Sequence, residues 1–298
     1  MKKIDIHCHV TAFPQYAPPR HNGTNTLSAE QQILIHDKLN VDIGVLLPDC
    51  SPEGIYLQTT NEETKFITAQ HPERFMWFCN VDPRMVTNDK KADLGHLLNH
   101  YKSLGAKGLG ELTATIYADD PRMDNLFYHC EQNDMPVLIH ISPVETGTYG
   151  IIDELGLPRI EKMLKKYPDL KLIGHSAAFW SEISQGLTQD ERNNYPKGKV
   201  EEGKLPILMR EYGNLYCDLS AGSGANAMMR DPEYAARFIE EFADRIYYGT
   251  DVCAANATFQ YDFDVFLTKM VDDGMISSTN YEKIIRKNAE KLLRIEVN

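Results

Sequence analysis

Residues 3–10 read KIDIHCHV, an apolar run interrupted by two histidines, His7 and His9. Seven further short runs rich in apolar and β-branched residues follow. They are DIGVLLP (42–48), RFMWFCNVD (74–82), GAKGLGEL (105–112), PVLIHIS (136–142), LKLIGHS (170–176), NLYCDLS (214–220) and RIYYGTD (245–251). Between them lie amphipathic segments of helix length, such as SAEQQILIHDKLN (28–40), DNLFYHCEQND (124–134), IEKMLKKYP (160–168) and EYAARFIEEFAD (233–244). Strand and helix in alternation imply parallel strands with crossover helices. Eight such units in 298 residues predict an α/β fold, a (β/α)8 TIM barrel, as a single domain over residues 1–298. YDFDVFLTKMVDDG (261–274) and TNYEKIIRKNAEKLLRI (279–295) are expected to close the ring as two helices. The long polar stretch 181–203, SEISQGLTQDERNNYPKGKVEEG, follows the sixth run and reads as a lid loop.

The composition, 42% hydrophobic and 25% charged, is that of a globular protein with a sizeable core. A net charge of −12 argues against a nucleic-acid partner, because a phosphate backbone calls for a basic surface. No run approaches the ~20 apolar residues of a membrane span, and MKKIDIHCHV does not read as a signal peptide. The six cysteines are scattered without a CxxC pair, which reads as reduced, buried thiols in a cytoplasmic protein. The expected partner is a small-molecule substrate, and homo-oligomerisation is compatible with the sequence.

Barrel enzymes carry their chemistry at the C-terminal ends of the strands. Here those ends hold His7 and His9, Glu111, His140, His175 and Asp251. Strand periodicity of two turns Asp5, His7 and His9 toward the axis and Ile4, Ile6 and Cys8 toward the helices. The same parity points Lys107, Leu109 and Glu111 inward. A single strand histidine is usually a hydrogen-bonded core residue, but metal-type ligands at five strand ends point to a metal site. Polar groups converging in a barrel mouth are costly unless a cation organises them. Nitrogen and oxygen donors without thiolate suit a divalent metal, with zinc the commonest, as one ion or as two bridged by Glu111. Arg20 and His21 follow the first run and are candidates to hold an anionic group. Phe179 and Trp180 are candidates for the pocket wall or for packing. SAGSGANA (220–227) is glycine-rich and a candidate to present backbone N–H groups to a ligand, and Arg230 reads as a structural residue before a helix starting at Asp231-Pro232.

Taken together, IDIHCHV, GAKGLGEL, MPVLIHIS, LKLIGHSAAFWSEIS, NLYCDLSAGSGANAMMRDPEYAARFIEEFADRIYYGTDVC and IIRKNAEKLLRI resemble the amidohydrolase superfamily of metal-dependent barrels, specifically the amidohydrolase 2 family. The resemblance implies His7 and His9 as first-strand metal ligands and His140 and His175 as the fifth- and sixth-strand histidines. It implies Asp251 as the eighth-strand aspartate that contacts the metal and shuttles a proton. Many superfamily members bridge two metals with a carboxylated lysine on the fourth strand, where this chain offers Glu111, with Lys107 deeper. The expected activity is hydrolysis of a small amide, ester or lactone through metal-activated water, with Asp251 as general base and His175 binding a second metal or, at a one-metal site, orienting the water or carbonyl. The alternative is a metal-dependent decarboxylase acting on a small carboxylic acid.

Overall fold

In a computed structural model describing residues 1–20, 23–53, 58–254 and 256–295, all eight predicted runs form parallel strands. They are β1 (Lys3–Cys8), β2 (Val41–Leu46), β3 (Phe75–Trp77), β4 (Leu109–Leu112), β5 (Val137–Ser142), β6 (Leu172–His175), β7 (Leu215–Asp218) and β8 (Ile246–Tyr247). Each pairs with the next within β1–β3 and within β4–β8. Parallel bridges join the two sets, Cys79 to Leu109 on one side and Cys8 to Val252 on the other. Backbone hydrogen bonds complete both seams: Cys79 N–H to Gly108 O at 2.9 Å and Ile6 N–H to Tyr248 O at 3.1 Å. The ring is therefore closed, as a TIM barrel.

The strands are apolar on both faces, which is why they read as continuous hydrophobic runs. Ile4, Ile6, Val45, Phe78, Leu138, Ile173 and Tyr247 fill the barrel, and Leu292 and Leu293 of the last helix pack against them. Leu46, Trp77, Leu109, Val137, Ile139 and Cys217 belong to the larger core between barrel and helices. Each fully buried side chain of this size contributes roughly 1.5–3 kcal/mol.

Two strands break the expected alternation, and in the same way. On β1, Asp5 pairs with Gly44 and Cys8 with Leu46, so three steps on β1 oppose two on β2. On β4, Leu109 pairs with Val137 and Leu112 with Ile139, again three steps against two. Each is a bulge with one extra residue. Ile4 and Ile6 therefore face the axis and Asp5 faces the helix Ala29–Leu39, the reverse of the simple period-two reading. Because of the extra residue, His7 still turns inward and Cys8 outward. On β4, Leu109 faces the helices, and Lys107 lines a surface cavity at the N-terminal end of the barrel with Lys171 and Lys291. Gly110 and Glu111 occupy the bulge. A Cβ on Gly110 would stand 2.8 Å from Leu138 O, so only glycine fits there.

The helices follow their capping signals. Ala29–Leu39 starts in a capping box of Ser28 and Gln31, and Pro232–Phe242 starts after Asp231, where the sequence places a helix start. The final segment differs from the single helix expected. Ser278–Glu282 and Asn288–Leu293 flank a π-helical turn, Lys283–Lys287. There the Ile284 carbonyl accepts Tyr248 N–H at 3.0 Å, and the Asn288 amide donates to Ile246 O at 2.8 Å. These bonds to the barrel widen the turn. The glycine-rich stretch forms a helix, Ala221–Met229, and Ser220 at its start gives its hydroxyl to Asp218 instead of capping it. Its glycines admit neighbours: a Cβ on Gly224 would stand 2.5 Å from the Leu219 carbonyl carbon. All six cysteines are free thiols, and no described helix is long and apolar enough to cross a membrane.

Candidate metal centre

The two bulges and the regular ends of β5, β6 and β8 bring His7, His9, Glu111, His140, His175 and Asp251 to one place at the C-terminal mouth. His140 and His175 are direct partners across β5 and β6, both inward by ordinary alternation after Leu138 and Ile173. Asp251 follows β8 with a positive φ of 49°, and its N–H donates to His7 O at 2.9 Å. His7 is fully buried, and Glu111 and His175 retain only 5% and 1% exposure.

Hydrogen bonds behind the rings decide which nitrogens face the centre. His7 Nδ1–H donates to Asp218 Oδ2 at 2.8 Å, and His175 Nδ1–H to Asp218 Oδ1 at 3.0 Å. Ser220 donates its hydroxyl to the same carboxylate at 2.6 Å. His9 Nδ1–H donates to Leu47 O at 3.1 Å. With Nδ1 so engaged, each neutral ring presents a bare Nε2 to the mouth. His140 differs: its Nδ1–H donates to Glu111 Oε1 at 2.7 Å, and its ring lies against Tyr149, with centroids 4.5 Å apart.

The front atoms have the spacing of ligands on one ion. His7 Nε2 and His9 Nε2 are 3.1 Å apart. Glu111 Oε2 is 3.7 Å from the first and 3.5 Å from the second. Asp251 Oδ1 is 3.7 Å from both. Donors held ~2.1 Å from a common ion stand roughly 3.0–3.4 Å apart in octahedral or tetrahedral geometry, so this set needs only slight contraction. The other oxygens of the same carboxylates face His175 Nε2, Glu111 Oε1 at 3.8 Å and Asp251 Oδ2 at 3.7 Å. The residues therefore fit a divalent cation held by His7, His9, Glu111 and Asp251, with His175 and His140 on the far side of the carboxylates.

Electrostatics agree. Burial opposes a charge on His7, yet Asp218, Asp251 and Glu111 outweigh it and hold the imidazole well above its ordinary pKa. His9 is raised in the same sense against burial by Asp49 and Glu111. Burial would raise Glu111, but His140 and His7 hold it well below the carboxylate range. The site thus concentrates negative charge that protons or a metal ion must balance.

Asp218, which orients two of the histidines, is not among the candidates the sequence offers, although it ends β7 facing inward after Tyr216. Asp218→Asn leaves an acceptor oxygen for only one of His7 and His175 and turns a donating NH2 toward the other. Divalent-cation affinity should fall about 10–100-fold, the usual cost of losing such a partner, as read by competition with a chromogenic chelator.

A cleft of about 500 Å³ opens over the centre, lined by His140, His175 and Asp251 together with Thr148, Tyr149, Asn193, Asn194, Tyr195 and Ser223. Asn193 to Tyr195 belong to the 181–203 stretch, which thus borders the site. Phe179 and Trp180 are core residues at 1% and 2% exposure, and Trp180 Nε1–H donates to Asp218 O at 3.0 Å. Arg230 bonds Ser184 and lies outside the cleft lining. Arg20 has a buried Nε without a partner among the described residues, and His21 lies outside them.

The profile of the amidohydrolase family matches residues 4–295. A search of curated proteins returns no match. Among solved structures, an uncharacterised TIM-barrel protein from Bordetella bronchiseptica aligns with TM-score 0.68 and 18% identity over 99% of both chains. A probable 2-pyrone-4,6-dicarboxylic acid hydrolase from Acinetobacter baumannii aligns with TM-score 0.63 and 16% identity, over 99% of this chain and 100% of that one. A 5-carboxyvanillate decarboxylase from Sphingomonas paucimobilis aligns with TM-score 0.64 and 16% identity over 99% of both. At such identities the likeness carries the fold and leaves the reaction open. Closed barrel, clustered donors and a profile match over almost its whole length agree: the chain belongs to the amidohydrolase family.

Proposed function

We propose that the protein is a metal-dependent hydrolase of a small amide, ester or lactone. One observation carries this reading. His7, His9 and Glu111 lie behind the cleft, whereas Asp251 and His175 line it, so a carboxylate and an imidazole of the cluster face bound substrate. A divalent cation held by His7, His9, Glu111 and Asp251 would supply Lewis acidity and acidify water. Asp251 accepts the proton of the water that attacks the carbonyl carbon. As the bond to the leaving nitrogen or oxygen breaks, Asp251 returns that proton to it. His175, fixed through Nδ1 by Asp218, presents its bare Nε2 to the cleft, where it accepts a hydrogen bond from the attacking water and orients it. The cleft wall of Thr148, Asn193, Asn194 and Ser223 offers hydroxyls and amides suited to a small polar substrate.

The second reading is decarboxylation of a small carboxylic acid. It draws on the His140 bond to Glu111, which engages the oxygen a second ion would need. The C–C bond to the carboxylate then breaks, CO2 leaves, and a proton from Asp251 replaces it. A panel of lactones, esters, N-acyl compounds and hydroxybenzoates assayed in H2¹⁸O separates the two. Hydrolysis places ¹⁸O in the product acid, whereas CO2 release without ¹⁸O incorporation into the remaining product overturns the hydrolase.

We also assign 181–203 as a lid. Arg192 is fully buried in it, 2.8 Å from Glu182 and donating to Asp153 O at 2.6 Å. Gln189 donates to Pro143 O on the opposite loop. Arg192→Met should speed proteolytic cleavage within 181–203 about tenfold or more, because breaking a buried pair costs roughly 3–5 kcal/mol. Unchanged cleavage would remove Arg192 as the anchor.

A further inference from the structure

A second polar cluster lies behind the metal centre, on the outer side of β1. Asp5, Cys8, Gln32 and His36 are all fully buried there. Asp5 uses both carboxylate oxygens. Oδ1 accepts the N–H of His7 and the N–H of Thr250, each at 3.0 Å. Oδ2 accepts the Thr250 hydroxyl at 2.5 Å and lies 3.2 Å from His36 Nε2, which donates to it. The side-chain amide of Gln32 is 2.8 Å from the same imidazole nitrogen, so with Nε2–H given to Asp5 the amide turns its oxygen, not its NH2, to the ring, and Cys8 Sγ is 3.6 Å away. Space for the ring is built in. A Cβ on Gly44 of β2 would stand 2.5 Å from His36 Cε1 and 3.1 Å from Cys8 Sγ.

The three groups that Asp5 holds, besides His36, belong to two segments. One is the β1 bulge that turns His7 inward. The other is Thr250, which precedes Asp251. Asp251 N–H in turn bonds His7 O, so the two segments are tied twice, once through Asp5 and once directly. Among the described residues, His36 is the only side chain able to carry positive charge in contact with Asp5. A buried carboxylate without such a partner would be held poorly. The cluster is not itself a cation site, because four donated hydrogens already occupy the Asp5 oxygens.

We propose that His36 is a positioning residue for the metal centre, acting through Asp5 on the backbone that carries His7 and Asp251. It touches neither substrate nor cation. The proposal rests on the metal reading above. It extends that reading to the helix Ala29–Leu39, whose buried face would then fix ligand geometry as well as pack the barrel.

The test is the affinity of metal-free protein for Zn²⁺ alone, by competition with a chromogenic chelator, alongside the melting temperature of the metal-free form. His36→Leu removes the donor to Asp5, and affinity should fall about 10–100-fold. His36→Gln keeps an amide donor and should recover to within about threefold of the parent chain. Thr250→Val removes only a hydroxyl, should weaken binding severalfold, and decides the matter if His36→Leu does not fold. A purely structural His36 would lower the melting temperature and leave affinity unmoved. Binding within twofold of the parent in folded His36→Leu, or in Thr250→Val if that variant fails to fold, overturns the proposal. Absence of Zn²⁺ binding by the parent chain would overturn the metal reading itself.

Discussion

His9→Ala should lower bound divalent cation to below about a tenth of an equivalent per chain and abolish activity while the barrel stays folded. The imidazole supplies one of the two nitrogens at the front of the site, and no other described side chain replaces it. Its back is held only by Leu47 O and the nearby Asp49 carboxylate, so truncation leaves little else unpaired. His7→Ala should remove the metal as completely but cost more stability. It also strips Asp218, a fully buried carboxylate, of one of its two imidazole partners. Metal analysis of the purified variants, with circular dichroism for the fold, checks both. Acid should act in the same direction reversibly. Burial disfavours charge on His7 and His9, but the surrounding carboxylates prevail and keep both rings protonated to higher pH than a free imidazole. A cation must displace those protons. Affinity should therefore keep rising with pH beyond the ordinary imidazole range near ~6.5, about tenfold per unit for each proton displaced.

Asp251→Asn separates holding the metal from doing the chemistry. The amide keeps an oxygen toward His7 and His9 but cannot accept a proton. Most of the metal should remain while kcat falls by about 10²–10⁴, the usual worth of a positioned acid or base. The acidic limb of the pH–rate profile should change with it. Loss of metal in parallel with activity would instead make Asp251 chiefly a ligand. An unchanged rate would remove it from the mechanism.

The fold was legible because a parallel barrel buries both faces of each strand, leaving eight apolar runs at nearly regular intervals. His140 and His175 were legible for a related reason: β5 and β6 alternate without interruption, so parity holds to the strand end. Parity failed on β1 and β4, where a bulge inserts one residue and reverses the facing of what precedes it. Ile4, Ile6 and Asp5 on one strand and Lys107 and Leu109 on the other were therefore assigned to the wrong sides. The hydrophobic pattern cannot reveal this, because inner and outer faces are equally apolar. Asp218 escaped notice because a lone carboxylate in CDLS resembles a strand-end cap, and its two histidine partners lie far away in sequence. His36 reads as one more polar residue on an amphipathic helix until Gly44 and Asp5 are seen beside it.

Anomalous scattering from crystals grown with Zn²⁺ or Mn²⁺, recorded at the absorption edge of the added metal, tests the assignment most directly. The expected result is a peak within bonding distance, roughly 2.0–2.2 Å, of His7 Nε2, His9 Nε2 and a carboxylate oxygen each from Glu111 and Asp251. A mouth without a peak at saturating metal, or a peak confined to another part of the molecule such as the Asp5, Cys8 and His36 cluster, would contradict it.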